Sequence, residues 1–300
     1  MKCKACEGTL KNSIAGSYTF CPSCGSANYV SDRNAEEDNK DYFNSVYSDK
    51  VYSTAIRNRL KLFEKFERVH TLMHRSESRR FSLLLEKISE LIRHVGKTIE
   101  VGFGNGDELI RYLKSGANIY GYDLSTVALR NFQLKYPEFE DRVYTGNINQ
   151  SCADIIYSNA LFEHLDNPGY FIRSAHGMLN LGGRLIIRMP IITGKFKTIA
   201  EAERDINFWK PCHRVLYTFK GLAVRLEKNG FKIQESATFA YYGYKVMSRM
   251  LKLGYDEISY TRNPYFALKG LTDSIFKKIL LQSLFDNVIC SDFALIAVKI

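Results

Sequence analysis

No run of apolar residues among these 300 approaches the roughly 18 that a membrane-spanning helix needs, so a spanning helix is excluded. The start, Met1-Lys2-Cys3-Lys4-Ala5-Cys6, lacks the apolar stretch of a secretory signal, and the cytoplasm is therefore the expected compartment. Internal repeats and low-complexity tracts are missing too. With 45% hydrophobic and 25% charged residues, the chain is neither disordered, nor collagen-like, nor a coiled-coil rod. A chain of this length buries about three quarters of its unfolded surface, enough for a sizeable core. Acids are in deficit: 32 Asp and Glu against 42 Lys and Arg leave a formal net charge of +10. That surplus favours anionic partners such as phosphorylated metabolites, nucleic acid or anionic lipid, without choosing among them.

What is present is unevenly placed. Four of the seven cysteines lie within the first 24 residues, as Cys3-x-x-Cys6 and Cys21-x-x-Cys24. Two such knuckles supply four thiolates, the donor set of a tetrahedral zinc ion. A small or turn-forming residue follows each pair, Gly8 and Gly25, and four protein ligands leave no open position, so the expected zinc is structural. Residues 1–30 hold too few large apolar side chains to fold unaided and are read as a zinc-binding module that can loosen without unfolding the rest. The remaining cysteines, Cys152, Cys212 and Cys290, are expected to be ordinary buried thiols.

Residues 31–95 read as a linker running into N-terminal helices. Ile56, Leu60, Phe63, Phe66 and Val69 keep helical spacing, as do Leu84, Ile88, Leu91 and Ile92 after a polar break at Arg75 to Ser78. From Thr98 short β-branched runs (98–101, 118–122, 154–157, 184–188) alternate with helical stretches, which is the pattern of repeated βαβ units and a parallel sheet covered on both faces. Residues 231–240 and 292–300 are two further strand candidates, and the intervening 241–290 reads as a helical insertion.

The segment 98–107 is a strand followed at once by Gly102, Gly104 and Gly106 and then by a helix. Glycines let backbone amides approach a ligand, and the helix start adds partial positive charge. The dinucleotide fingerprint would need a glycine where Asp107 stands, which disfavours nicotinamide binding. The next strand ends at Asp123, a carboxylate placed to accept both ribose hydroxyls of a nucleoside lying across the strand ends.

Over about residues 96–240 these features together resemble the class I S-adenosylmethionine-dependent methyltransferases. Glu-Val-Gly-Phe-Gly-Asn-Gly, Gly-Tyr-Asp-Leu-Ser, Glu-His-Leu-Asp-Asn-Pro and Leu-Asn-Leu-Gly-Gly-Arg-Leu-Ile-Ile carry the likeness. The resemblance implies an α/β, Rossmann-like, doubly wound seven-stranded sheet over residues 96–300, with a small N-terminal zinc ribbon and helical additions. It implies a cofactor site in which Gly102, Phe103, Gly104 and Gly106 form the loop, Glu100 receives the ammonium group and Asp123 the ribose. Leu124 and Ile148 would then flank the adenine, Asn147 would stand where an acid is frequent, and Asn159 would be a further cofactor-binding residue.

Two histidines compete for the acceptor's proton. His164 follows the fourth strand directly and is expected to be shielded by Leu161 and Phe162, while His213 precedes a helix, on a loop with Trp209 and Tyr217 that is expected to be open and to close over an acceptor. His213 is expected to be the base and His164 its support. The pair His70 and His74 lacks a general-base Glu between its members and reads as a solvated helix face. The architecture is similar to bacterial methyltransferases of surface-polysaccharide and modified-sugar biosynthesis, which implies O-methylation of a small-molecule or lipid-linked glycan acceptor. A peripheral contact with the inner membrane face, through residues 241–290, belongs to that reading. The alternative is a zinc-ribbon RNA methyltransferase. Against it, no Asn-Pro-Pro-aromatic sequence follows the fourth strand, and the cysteine module carries no dense Lys/Arg run.

Overall fold

The computed structural model describes residues 1–10, 18–30, 75–146, 152–193, 213–239 and 290–300. Strands β1 (Tyr18–Phe20) and β2 (Ala27–Tyr29) come from the cysteine-rich start. Helix α1 (Arg75–His94) precedes β3 (Thr98–Val101), α2 (Asp107–Lys114), β4 (Ile119–Asp123), α3 (Thr126–Lys135) and β5 (Val143–Thr145). Then come β6 (Ala153–Asn159), a 3-10 turn (Phe162–His164), α4 (Pro168–Met178) and the long β7 (Leu179–Ile192). The chain returns as β8 (Val215–Thr218), α5 (Phe219–Glu227), β9 (Phe231–Phe239) and β10 (Cys290–Lys299).

The six expected strand segments all form. Arg75 to Ser78, read as a break, belong instead to the first turns of α1, because polar residues without Gly or Pro do not stop a helix. His70, His74, all of the insertion 241–290 but its last residue, and most of 31–95 lie outside the described residues.

Among the described residues the sheet has ten strands. Its central seven run β5-β4-β3-β6-β7-β10-β9, parallel from β5 to β7 and antiparallel where β10 slots between β7 and β9. Period-two alternation divides the side chains between two apolar layers. Ile99, Ile156, Leu185 and Ile187 pack with α4 and α5 through Ile172, Ala175, Leu222 and Leu226. On the other face Ile155, Tyr157 and Ile186 pack with Leu84 and Ile88 of α1, Leu109 of α2 and Ala128 of α3.

The N-terminal module is not set apart. Strand β8 pairs in parallel with Ile191 and Ile192 at the far end of β7, beyond the last residue of β6, and β2 then pairs with β8. Cys3, Ala5, Cys6, Leu10, Cys21 and Cys24 are buried in the same apolar layer as Phe162, Tyr217 and Leu222. A segment short of large apolar residues borrows the core of its neighbour, and polar ties follow: Thr218 Oγ1 donates to the Cys24 carbonyl at 2.6 Å, and Lys4 pairs with Asp166 at 2.8 Å. A Cβ on Gly221 would stand 2.4 Å from Ser26 Oγ. Among the described residues no helix is long and apolar enough to cross a membrane.

Candidate active site

The parallel strands end together at one edge, and the loop after β3 lies there. Gly102 (φ +76) continues the ladder by donating to the Tyr122 carbonyl at 2.7 Å, in a left-handed conformation that a side chain would strain. Gly106 (φ +72) caps α2, and a Cβ on it would stand 2.2 Å from the Phe132 ring. Phe103, buried, packs its ring on Phe132 at 5.7 Å. Asp123, at the end of β4, ties the two loops together: Gly104 N–H donates to one carboxylate oxygen at 2.9 Å and Ser125 N–H to the other at 2.8 Å. Leu124 beside it is 68% exposed, an apolar face open at the site. Asn147 and Ile148 lie outside the described residues.

Burial raises the Asp123 carboxyl despite those backbone donors. Glu100, on β3, is 3% exposed, and its Oε2 has no hydrogen-bond partner among the described residues. Burial first, then the neighbouring Glu108 and Asp123, lift its carboxyl well above the usual range, with Arg111 opposing. Glu100, buried with an unpartnered oxygen, and Asp123, half-buried with acceptor capacity beyond its two backbone donors, thus face a glycine-lined loop. S-Adenosylmethionine complements both, since its ribose diol offers two donors and its methionine end carries positive charge. The residues present fit that group. Replacing Asp123 by Ala removes an acceptor for hydroxyls worth about 1.5 to 3 kcal/mol each and frees Gly104, so calorimetry should show cofactor affinity at least about tenfold weaker.

A polar network supports the loop from α2. Glu108 accepts from the Tyr157 hydroxyl, from Asn159 Nδ2 at 3.2 Å and from Arg188 Nη1 at 2.9 Å. Asn159 therefore reaches the site through Glu108. Neither Glu108 nor Arg188 was singled out from sequence; the available signal was an acid in the first turn after the glycine loop.

The loop after β6 forms the other wall. Leu161 covers the glycine loop, since a Cβ on Gly102 would meet its Cδ1 at 3.1 Å. The rings of His164 and His213 stand edge to face, centroids 4.8 Å apart. The backbone joins their segments, Arg214 N–H donating to the Glu163 carbonyl at 2.6 Å, while Tyr18 of β1 donates its hydroxyl to the His213 carbonyl at 2.8 Å. The expected contrast between a shielded His164 and an open His213 is reversed: His213 is 8% exposed, and the His164 side chain 15%. Tyr217 belongs to β8 and is fully buried, so it does not sit on a closing loop, and Trp209 lies outside the described residues. The physical reason is the pairing of β8 with β7 and β2, which draws this segment into the core. Glu163, next to His164, is 1% exposed, and burial pushes its carboxyl up to about 8, Asp292 adding to the effect.

The four cysteine sulfurs are buried together, with Cys3–Cys24 at 3.9 Å and Cys6–Cys21 at 3.6 Å. A zinc ion with Zn–S bonds of about 2.3 Å sets tetrahedral sulfur separations of about 3.8 Å, so the donor set fits that metal. Both knuckles close alike, Glu7 N–H onto the Cys3 carbonyl and Gly25 N–H onto the Cys21 carbonyl, each at 2.8 Å. Cys152, expected to be buried, is exposed, because it lies just ahead of β6 and not within it.

Comparison with known proteins bears on the fold and the family. The family described as "Methyltransferase domain" matches residues 73–236, more than half of the chain. No curated protein matches significantly. Among solved structures, geranyl diphosphate C-methyltransferase from Streptomyces coelicolor A3(2) is 12% identical, with a TM-score of 0.53 over 90% of this chain and 100% of that one. A protein of Galdieria sulphuraria described as a sarcosine dimethylglycine methyltransferase is 14% identical, with a TM-score of 0.50 over 75% of this chain and 85% of that one. At such identities the likeness is one of fold. With the domain match spanning the glycine loop, Asp123 and the loop after β6, the chain belongs to the class I S-adenosylmethionine-dependent methyltransferases.

Proposed function

We propose that this methyltransferase methylates a hydroxyl oxygen of a sugar or glycan-type acceptor, small or lipid-linked, in cell-surface polysaccharide biosynthesis in the cytoplasm. The observation that carries the reading is the pair of His164, on the loop that also covers the cofactor's glycines, and His213, just ahead of β8, with ring centroids 4.8 Å apart. The cofactor supplies a methyl group already activated on a sulfonium. The protein's part is to align the acceptor oxygen with it, exclude water and relieve the hydroxyl of its proton. His213 takes that proton and His164 supports it. Glu100, Gly102, Phe103, Gly104, Gly106, Asp123, Leu124, Asn147, Ile148 and Asn159 serve the cofactor.

Cys3, Cys6, Cys21 and Cys24 hold a structural zinc ion in this proposal. Its module uses Lys4 on Asp166 and lays β2 against β8, which favours a supporting role over that of a nucleic-acid reader. The RNA reading draws on the net charge of +10. The two are separated by incubating the protein with methyl-labelled cofactor and cell extract. Label should enter the glycan or lipid-linked glycan fraction and resist ribonuclease; ribonuclease-sensitive label would transfer the assignment to RNA.

Residues 241–290 bear on acceptor choice, because an insertion between the last two strands of the chain can reach the edge where the acceptor enters. Removing 245–285 should abolish transfer to the native acceptor while cofactor binding persists. Full activity would show the segment dispensable, and a failure to sediment with anionic liposomes would remove its proposed membrane contact.

A further inference from the structure

One feature of the acceptor wall is left unexplained by a histidine pair alone. Glu163 is 1% exposed between His164 and β8, and its Oε2 has no hydrogen-bond partner among the described residues. A buried, unpartnered carboxylate oxygen costs free energy that the fold must offset or a ligand relieve. One donor atom each from Glu163, His164 and His213 lies within 4.8 Å of the others. Asp292 of β10 adds negative charge on the Glu163 side. The nearby cation Arg214 is engaged elsewhere, its guanidinium directed at Asp166 and over the Tyr29 ring.

The geometry points to a second metal site, a divalent cation held by Glu163, His164 and His213 at the acceptor end of the sheet. Two imidazoles and one carboxylate suit manganese, iron or zinc better than magnesium or calcium. Three protein ligands leave positions open, unlike the closed set of four cysteines. Tetrahedral ligands at about 2.1 Å stand about 3.4 Å apart, so the side chains have to close by up to about 1.4 Å on loading. The backbone bond from Arg214 to Glu163 already fixes the two segments to each other.

The inference rests on the proposed hydroxyl methylation for its purpose and alters one part of it. With the cation held, His213 is a ligand, and the hydroxyl that reaches the open positions gives its proton to water. The oxygen then bonds to the methyl carbon, the carbon–sulfur bond breaks with its electron pair on sulfur, and an ether and a thioether result. Charge on the oxygen is stabilised where it develops.

The test is a Mn2+ titration of the full-length, zinc-loaded protein, followed by electron paramagnetic resonance. One Mn2+ per chain should bind at the site, and Glu163→Gln and His164→Gln should each weaken it by about 100-fold or more, since even outer-shell losses cost up to that much. No Mn2+ binding by the parent, or equal binding by both variants, overturns the site. Transfer that persists in a variant unable to bind Mn2+ overturns the cation's part in the reaction and leaves hydroxyl methylation standing. Mn2+ bound through Glu163 with no transfer to any hydroxyl supports the site and counts against the methylation reading instead.

Discussion

His213→Ala should lower turnover by about 100- to 10,000-fold while leaving cofactor affinity within about twofold of the parent. The fold has little reason to fail. Tyr18 binds the backbone carbonyl of His213, which alanine retains, and Arg214 keeps its bond to the Glu163 carbonyl. What is lost is the ring beside His164, which serves the acceptor hydroxyl whether it takes the proton or holds the cation. His164→Ala should cost a similar factor, and the double variant little more than either, because residues that act as a unit are not additive. Turnover measured alongside calorimetry checks this. If both single variants are harmless, the acceptor needs no hydroxyl activation, and nitrogen methylation replaces the oxygen assignment.

Cys6→Ser should do more than loosen thirty residues. Structural zinc contributes roughly 10 to 16 kcal/mol in small peptides, as much as a whole domain's net stability. The cysteines pack in the layer that holds Tyr217 and Phe162, and β2 is the edge neighbour of β8. Loss of the proposed zinc ion should therefore release β8 and with it the position of His213. Hydrogen exchange should show lost protection from Tyr18 through Tyr29 and at Val215 to Thr218, with β3 and β4 unaffected. Turnover should fall by about 100-fold, the scale expected for an ångström's misplacement at the site, with cofactor binding retained. Protection at β8 equal to the parent's would show the module to be an appendage.

These two expectations also mark what the sequence could and could not reveal. The cofactor half was legible because its constraints are local. Gly102, Gly104 and Gly106 follow a β-branched strand directly, and Asp123 ends the next one, so short-range pattern and chemistry coincide. The acceptor half depends on pairings across long separations. That Ala27 lies against Leu216, or that the backbone of Arg214 meets Glu163, follows from β8 occupying the free end of β7, which no periodicity encodes. Hence the sequence does not reveal the burial of His213 and Tyr217, and it shows Glu163 only as part of a motif. The exposure of Cys152 escapes a reading of the sequence for a related reason, since it directly precedes a fully buried strand start at Ala153.

The most direct measurement is the atom that receives the methyl group. Product formed with carbon-13 methyl-labelled cofactor and purified from the extract can be read by nuclear magnetic resonance. The account predicts a methyl ether on a sugar hydroxyl, formed by the parent and lost with His213→Ala. A labelled methyl on nitrogen or carbon, or on RNA, would contradict it.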